Sequence, residues 1–197
     1  MIPPASNRKT LRQDLRARRR ALDSAARAHA AQSLAELVST LSCYQSARCL
    51  AAYVAVQGEI DPELLLQRAC QEGKQIYLPS LPAERTAPLR FLPWNPGMRM
   101  HANRLGIPEP LVSADVGIAP QELDLALVPL VAFDHHGHRL GMGGGFYDRT
   151  FAFLKTATTK PLLLGLAYEF QRLERIDEAS WDVPLTGAVT ERHAYFF

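Results

Sequence analysis

The glycine-rich segment at residues 141–145 is the stretch of this sequence best suited to chemistry. It lies between an apolar run, residues 125–131, and a helix that is predicted to begin near Phe146. Glycines let backbone N–H groups approach an anion with no Cβ atom in the way, and the first N–H groups of a helix have no internal partner. The segment therefore predicts a phosphate site, with Arg139 supplying positive charge and Asp148 a carboxylate suited to a metal ion.

Two well-known phosphate-binding loops do not match this segment. A Walker A loop carries Gly-Lys-Ser/Thr after its glycines, and no such triplet follows here. The dinucleotide fingerprint needs a third glycine at the position that Phe146 occupies. Since clustered glycines are also typical of a plain turn, a phosphate loop and a simple turn are both compatible with these residues alone.

The longer string around the glycines is more specific than the glycines themselves. Its segments PLVAFD, GHRLG and GGGFYD resemble the signature of the 5-formyltetrahydrofolate cyclo-ligase family. Shorter matches follow in the family's order over nearly the whole chain: the basic start at residues 8–12, QGEI at 57–60, GIPEP at 106–110 and DVP at 182–184. The resemblance implies an ATP- and Mg²⁺-dependent ligase that closes 5-formyltetrahydrofolate into 5,10-methenyltetrahydrofolate, releasing ADP and phosphate.

The resemblance also implies roles for individual positions. The ATP-binding positions are Arg8, Lys9, Arg12, Arg139, Leu140, Gly141, Met142, Gly143, Gly144, Gly145, Phe146 and Tyr147. The positions that bind the reduced folate are Val54, Glu59, Met142, Gly143, Gly144, Gly145 and Phe146. Asp148 and Asp182 match the Mg²⁺ positions, and Arg139 and Tyr147 are expected to act in catalysis.

Three of these implications rest on side-chain chemistry. The Glu59 carboxylate suits the pterin ring, whose N–H groups are donors. Mg²⁺ takes a few carboxylates together with water and phosphate oxygens, which Asp148 and Asp182 would supply once the fold joins them. The family's usual first aromatic residue is Tyr, and this chain has Phe146, so stacking is expected there without a hydroxyl.

Positive charge is concentrated near the start of the chain. The net charge is +2, yet residues 8–20 hold seven basic residues and one acid. Arg8 and Arg12 are expected to meet the ATP phosphates, and the arginines from Arg16 to Arg20 to form a solvated face. A nucleic-acid-binding protein that uses this basic helix is one alternative, although no further basic surface accompanies it. Another is an enzyme on a similar α/β frame that binds a sugar phosphate or coenzyme A.

Composition sets the remaining expectations. Three cysteines without CxxC spacing favour a reducing cytosol, and no apolar run reaches membrane-spanning length. We expect a cytoplasmic monomer with no nucleic-acid or membrane partner. His135, His136 and His138 are expected to form a solvated loop tip rather than a metal site, because no Cys or carboxylate stands at ligand spacing.

Alternating strand and helix patterns predict the elements that position these residues. Helices are expected at residues 8–41 with a break at Asp23-Ser24, at 62–73, at 145–156 and at 169–175. Strands are expected at residues 48–56, 75–78, 89–92, 124–131 and 162–167, with an edge strand from Val189. The proline-rich residues 79–120 are expected to be mostly loop.

This alternation predicts a single three-layer α/β/α domain over residues 1–197, Rossmann-like, with a mainly parallel sheet. Glu59, the glycine loop and Glu169 each follow a predicted strand. Ligands bind beyond the carboxyl ends of strands in such sheets, so the three loops are expected to converge on one site.

Overall fold

A computed structural model of the chain describes residues 8–84, 86–156 and 160–197. The helices are α1 (Arg8–Ala21), α2 (Ser24–Thr40), α3 (Ser42–Ser46), α4 (Glu63–Gln71) and α5 (Phe146–Thr150). The strands are β1 (Cys49–Ala51), β2 (Gln75–Ser80), β3 (Arg90–Trp94), β4 (Met100–Ala102), β5 (Pro108–Pro110), β6 (Leu125–Pro129), β7 (Ala132–Phe133), β8 (Arg139–Leu140), β9 (Leu162–Leu166), β10 (Gly187–Val189) and β11 (Ala194–Phe196). Short 3₁₀ helices span Ala114–Val116, Pro120–Glu122, Ala152–Lys155 and Glu169–Gln171.

A seven-stranded sheet in the order β11-β10-β9-β6-β1-β2-β3 forms the centre of the fold. The five inner strands run parallel, and β3 and β11 pair antiparallel at the two edges. Strand β6 is central, and its first four residues are buried. Burial on both faces explains its continuous apolar sequence, which is typical of strands in parallel sheets.

Both faces of the sheet are covered, which confirms the three-layer α/β prediction. Along β6, Leu125 and Leu127 pack into the core beneath α2 and α4, whereas Ala126 and Val128 face the opposite side. On that opposite side Phe151, at the end of α5, fills the core with no exposed surface. The alternation follows directly from the two-residue repeat of side chains along a strand.

The long N-terminal helix is divided where the sequence predicted. Asp23 is the N-cap of α2, and its carboxylate accepts a hydrogen bond from the Ala26 N–H at 2.7 Å. A carboxylate at this position satisfies a helical N–H group that has no backbone partner. Helices α1 and α2 are thus separate elements, and only α1 carries the dense basic block.

The predicted strand at residues 48–56 is too long. Strand β1 ends at Ala51, and the chain then turns at Gln57 and Gly58, which have φ values of 52° and 77°. Tyr53 remains buried and donates from its hydroxyl to the Ile60 carbonyl at 2.6 Å. The apolar residues after Ala51 are therefore buried in a loop, which the sequence pattern does not distinguish from a buried strand.

Residues 79–120 are mostly loop, as predicted, but they hold more strand than the one short strand expected. Strand β3 is longer than expected, and β4 and β5 form a separate antiparallel pair. Buried Glu109 ties this pair to the sheet by accepting from Ser80 Oγ at 2.8 Å, Leu81 N at 2.8 Å and Asn103 Nδ2 at 2.7 Å. Two prolines are tolerated in β5 because a two-stranded ribbon leaves one side of each strand unpaired.

Smaller differences concern the elements near the end of the chain. The helix expected at residues 145–156 is the short α5 followed by a 3₁₀ turn, and that expected at 169–175 is reduced to Glu169–Gln171. Val189 belongs to β10, which is second from the edge, because β11 lies outside it. Among the described residues, no helix is both long and apolar enough to cross a membrane.

Asp124 links neighbouring strands at the amino ends of the parallel strands, which we call the amino edge of the sheet. Its carboxylate accepts from the backbone N–H groups of Arg48 at 2.8 Å and Cys49 at 3.0 Å, and it pairs with Lys160 at 2.6 Å. Burial raises the pKa of Asp124, but these donors outweigh it and lower the pKa to about 2. The amino edge is therefore held by one ionised carboxylate.

Candidate active site

The glycine loop lies between the β7–β8 hairpin and α5. Gly143 and Gly145 have positive φ values of 95° and 63°, and Gly145 is the N-cap of α5. A Cβ atom on Gly145 would lie 2.7 Å from an Arg149 guanidinium nitrogen, whereas Gly141 has nothing within 4 Å of that position. The loop is thus a backbone conformation that favours glycine, with an exposed middle at residues 142–144.

Two arginines from α1 lie against this part of the fold. Arg12 Nε donates to the Gly141 carbonyl at 2.8 Å, and its guanidinium carbon lies 3.8 Å from where a Cβ of Gly143 would be. Arg8 pairs with Asp182 at 3.3 Å. Burial and the charge of Arg8 lower the pKa of Arg12, as expected for two cations held close together. Exposed Lys9 lies on the same helix.

Arg139 is buried and forms a bond with Asp148. Its side chain is 5% exposed, and its guanidinium donates to the Asp148 carboxylate and to the Val183 carbonyl. The sequence predicted that this guanidinium would stand beside the loop and meet phosphate. In the structure it points to its protein partners, so orienting Asp148 is a second role, and its phosphate contact stays a prediction.

Asp148 and Asp182 are distant in the sequence and adjacent in the fold. The Asp148 carboxylate accepts a hydrogen bond from the Val183 N–H at 3.3 Å. Asp182 immediately precedes Val183, and its carboxylate accepts from the Ala179 N–H at 3.0 Å. Burial lowers the pKa of Arg139, and both aspartates oppose that shift, which shows that both act on it. The structure therefore places the two predicted metal positions together.

Asp148 and Asp182 together fit a metal site that is completed by water and phosphate oxygens. No group of three or more His, Cys, Asp or Glu side chains suited to a metal occurs in the part of the chain that the structure describes. An all-protein metal cage is therefore not formed by the described residues. Mg²⁺ commonly takes one or two carboxylates and completes its shell with water and phosphate oxygens, which matches Asp148 with Asp182.

Glu59 lies in the turn after β1 and is largely buried. Its side chain is 8% exposed, it accepts from the Val56 N–H at 3.2 Å, and it lies 3.6 Å from the Arg19 guanidinium. Burial raises the pKa of Glu59, while Arg19 and the Val56 N–H oppose the rise. Val54, the other predicted folate residue before the loop, is half-buried against the core.

Arg19 does not lie where the sequence predicted. It was expected on a solvated face, but it has no exposed surface and contacts the Leu130 carbonyl at 3.2 Å as well as Glu59. A signal was available in the spacing, because Arg19 follows Leu15 by four residues and precedes Leu22 by three. It therefore lies on the apolar stripe of α1 rather than beside it.

Tyr147 lies between the two groups of charged residues. Burial raises the pKa of its hydroxyl, Glu59 raises it further, and Arg139 lowers it. Its ring stacks on Phe151 at a centroid distance of 6.2 Å. Phe146, one residue earlier, lies under the Arg149 guanidinium at 5.1 Å. The helix start thus presents an aromatic pair directly after the glycine loop, and Glu59 and Arg139 both act on the second ring of the pair.

Glu169 does not join this group among the described contacts. Its carboxylate accepts from the hydroxyl groups of Thr190 and Tyr195, each at 2.6 Å. It links β10 and β11 to the end of β9. Of the three loops expected to converge, the glycine loop and the Glu59 turn therefore contribute to the candidate site, and Glu169 has a structural role.

The histidines at residues 135–138 surround a buried aspartate. Asp134 accepts from the backbone N–H groups of His136 and His138, and it contacts His138 Nδ1 at 3.0 Å. His135 and His136 are exposed. Asp134 also accepts from the Ile176 N–H at 2.8 Å, so this turn anchors a later loop.

A cavity of about 440 Å³ has Glu59 in its wall. It is lined by α2 residues such as Arg27 and α4 residues such as Leu64, and none of residues 139–148 contributes to its wall. The buried Tyr168 hydroxyl also lines it and has no hydrogen-bond partner among the described residues. Glu59 therefore belongs both to the wall of this cavity and to the groups that act on Tyr147.

Comparison with known proteins points to one family. Residues 4–191 match the model of the 5-formyltetrahydrofolate cyclo-ligase family. The chain is 36% identical over 176 residues to the 5-formyltetrahydrofolate cyclo-ligase of Escherichia coli strain K12, covering 89% of this chain and 96% of the relative. It is 37% identical over 178 residues to that of Haemophilus influenzae, covering 90% and 94%.

A solved structure supports the same fold. The NMR structure of Aquifex aeolicus 5,10-methenyltetrahydrofolate synthetase aligns with a TM-score of 0.81 at 29% identity, covering 96% of this chain and 92% of that one.

Proposed function

Because the chain belongs to the 5-formyltetrahydrofolate cyclo-ligase family, we propose that it closes 5-formyltetrahydrofolate into 5,10-methenyltetrahydrofolate at the expense of ATP. The products are ADP and phosphate. The observation that carries the proposal is the glycine loop with Arg12 bonded to it and with Tyr147 of α5, on which the Glu59 carboxylate acts, directly after it. This arrangement offers one place for a phosphate chain and another for a pterin.

The reaction needs positioning more than covalent help from the protein. The formyl oxygen attacks the γ-phosphorus of ATP, and the bond from that phosphorus to the bridging oxygen breaks to release ADP. N10 then attacks the formyl carbon, N10 loses its proton, and the C–O bond breaks as phosphate leaves. Holding the formyl oxygen in line with the γ-phosphorus is the main task of the site.

The phosphate side would be held by backbone and arginine. Residues 142–144 are exposed just before α5, so their backbone N–H groups are the ones we assign to phosphate, and Arg12 adds a cation beside Gly143. Arg8, which pairs with Asp182, adds a second cation. The exposed loop and the two cations together suit a chain of negatively charged phosphates.

Asp148 and Asp182 would hold Mg²⁺ together with the phosphates. When bound, the ion neutralises charge that develops on the phosphate oxygens. Arg139 keeps Asp148 in place, since its buried guanidinium fixes one carboxylate oxygen. The remaining lone pairs of the two aspartates are the groups we assign to the ion.

The folate side would be held by Glu59 and the aromatic pair. The Glu59 carboxylate accepts hydrogen bonds from pterin N–H groups. Phe146 supplies a ring face for stacking, and its missing hydroxyl plays no part. Tyr147, which we place between the nucleotide and the folate, is a neutral phenol near neutral pH, and burial raises its pKa further, so it can donate to an oxygen in the reacting group.

The contacts of the basic helix weigh against nucleic-acid binding. Arg8 pairs with Asp182, Arg12 bonds to Gly141, Arg16 bonds to Gln57, Arg18 lies over the Phe170 ring at 4.4 Å, and Arg19 is buried. These arginines contact their own protein rather than forming an open basic surface. Family membership weighs equally against a sugar-phosphate or coenzyme A enzyme.

We also propose that the protein acts as a cytoplasmic monomer. Its three free cysteines are in keeping with a reducing compartment. Light scattering on purified protein at several concentrations tests the oligomeric state.

Turnover provides the direct test of the proposed reaction. With ATP, Mg²⁺ and 5-formyltetrahydrofolate present, we expect a product with new near-ultraviolet absorbance and one ADP released for each turnover. Omission of ATP should abolish both signals. Absence of an absorbance change with all three components present would contradict the assignment.

Arg12→Ala is expected to weaken ATP binding by about ten- to a hundredfold, the cost of one charge-assisted contact at about 1.5–3 kcal/mol. The matched control is Arg20→Ala, because Arg20 is an exposed arginine on the same helix. Arg19 is unsuitable as a control, since it is buried beside Glu59. Isothermal titration with a non-hydrolysable ATP analogue measures both variants. Equal losses would show that α1 contributes only diffuse charge.

A further inference from the structure

Arg19 is a fully buried arginine whose guanidinium partners all lie at the carboxyl ends of the parallel strands. One guanidinium nitrogen lies 3.2 Å from the Leu130 carbonyl and 3.6 Å from Glu59, and the other lies 3.5 Å from the Gln57 carbonyl. The turn also packs on the Arg19 backbone, because a Cβ on Gly58 would lie 3.0 Å from its carbonyl oxygen. Side chain and backbone of this one residue therefore fix the turn that carries Glu59.

Burial of such a charge is unfavourable unless it meets a specific need. A guanidinium and a carboxylate both lose hydration when buried, and a well-packed apolar pair is often as stable or more stable. Arg19 lies on the leucine stripe of α1, four residues after buried Leu15. Stability alone therefore does not account for an arginine at this position.

We propose that Arg19 is a positioning residue for the folate substrate, which holds the Glu59 carboxylate in the orientation that receives the pterin. This inference rests on the proposed folate-binding role of Glu59. Arg12 precedes Arg19 by seven residues, so the two side chains share one face of α1 about 10 Å apart. One helix thus reaches the glycine loop through Arg12 and the folate side through Arg19.

The charge of Arg19 also acts on the ionisation of Glu59. The groups that act on Glu59 are Arg16 and Arg19 from α1, and Tyr53 and Tyr147 lie near it from the loop after β1 and from α5. Both tyrosines have raised pKa values and stay neutral. Burial raises the pKa of Glu59, and Arg19 is the first of the groups that oppose this rise. Loss of Arg19 should therefore let the carboxylate protonate at a higher pH.

The test is steady-state kinetics of Arg19→Met, which keeps length and removes charge. We expect the KM for 5-formyltetrahydrofolate to rise by about tenfold near neutral pH, the lower end of the range for a charge-assisted contact. The KM for ATP should stay within about twofold of the unmodified protein, since Arg12 and the glycine loop are untouched. On lowering the pH, the folate KM should begin to rise at a higher pH than in the unmodified protein.

Three further variants separate the outcomes. Arg20→Met, on the exposed face, should leave the KM of both substrates unchanged. Glu59→Gln should raise the folate KM, and adding Arg19→Met to it should add little, because Arg19 acts through the carboxylate. Arg19→Lys keeps the charge and should retain the pH profile of the unmodified protein; it carries the test if Arg19→Met does not fold.

Each contrary result has a distinct meaning. If Glu59→Gln leaves the folate KM unchanged, the proposed role of Glu59 fails, and this inference fails with it. If Glu59→Gln weakens folate binding but Arg19→Met leaves the folate KM and its pH profile unchanged, only the role of Arg19 is refuted. A parallel rise of both KM values in Arg19→Met would show a general structural role and overturn the inference.

Discussion

Gly143→Val is expected to lower the affinity for ATP by about a hundredfold or more, the loss of at least one charge-assisted phosphate contact and of access to the loop. Gly143 has a φ of 95°, and the Cβ position lies 3.8 Å from the Arg12 guanidinium carbon. Two methyl groups there would occupy the space between the loop N–H groups and that arginine. A β-branched residue also resists positive φ, so the loop would change its path.

Gly73→Val is the matched control for this substitution. Gly73 also has a positive φ, 77°, with nothing within 4 Å of a Cβ, and it follows α4 at the amino edge of the sheet. Both variants should lose about 1–2 kcal/mol of folding free energy from the backbone strain. Only Gly143→Val should lose ATP affinity. Thermal melting and nucleotide titration on the same preparations measure both quantities.

The plain-turn alternative makes the opposite prediction. If the glycines only form a tight turn, Gly143→Val melts earlier but its folded fraction binds ATP as tightly as the unmodified protein does. That result would contradict the phosphate-loop assignment.

Asp148→Asn is expected to raise the Mg²⁺ concentration needed for half-maximal rate by about tenfold, since it removes one of two proposed carboxylate ligands. It should also lower the stability. Asp148 is the anionic partner of Arg139, whose side chain is only 5% exposed. Breaking a buried pair costs about 3–5 kcal/mol, and since Asp148 is 23% exposed we expect about 2 kcal/mol.

Asp124→Asn is the control for this second prediction. Asp124 is also a paired aspartate, its side chain is 22% exposed, and it lies at the opposite edge of the sheet. Both substitutions should lower the melting temperature, and only Asp148→Asn should change the Mg²⁺ dependence. An unchanged Mg²⁺ dependence in Asp148→Asn would remove this residue from the proposed metal site.

The elements with strong local signals were predictable from the sequence. The apolar run at residues 125–131 predicted the central strand, and Asp23 predicted the start of α2. The end of strand β1 and the β4–β5 pair were not predictable in the same way. Tyr53 is apolar enough for a strand but is buried in a loop, and Pro108 and Pro110 argue against a strand that tertiary contacts nevertheless form.

The sequence predicted which residues belong to the candidate site better than it predicted which partners their side chains contact. Motif matching selected Asp148 and Asp182, and the fold joins them through Val183. Sequence spacing does not show that the Arg139 side chain is turned inward. Its partner Val183 is distant in the chain, and its partner Asp148 lies beyond the glycine loop. The burial of Arg19 was missed because the run of arginines was interpreted as one solvated face. Arg19 instead lies on the apolar stripe of α1 that includes Leu15.

The separation of the two sheet edges has a consequence for engineering. The proposed phosphate, metal and pterin groups lie at the carboxyl edge, whereas Asp124 and Lys160 hold the amino edge. Strand β6 has five residues, so the edges are about 16 Å apart, twice the Debye length of about 8 Å at physiological salt. Surface charge at the amino edge can therefore be redesigned for solubility or for immobilisation on a support while the field at the reacting groups changes little.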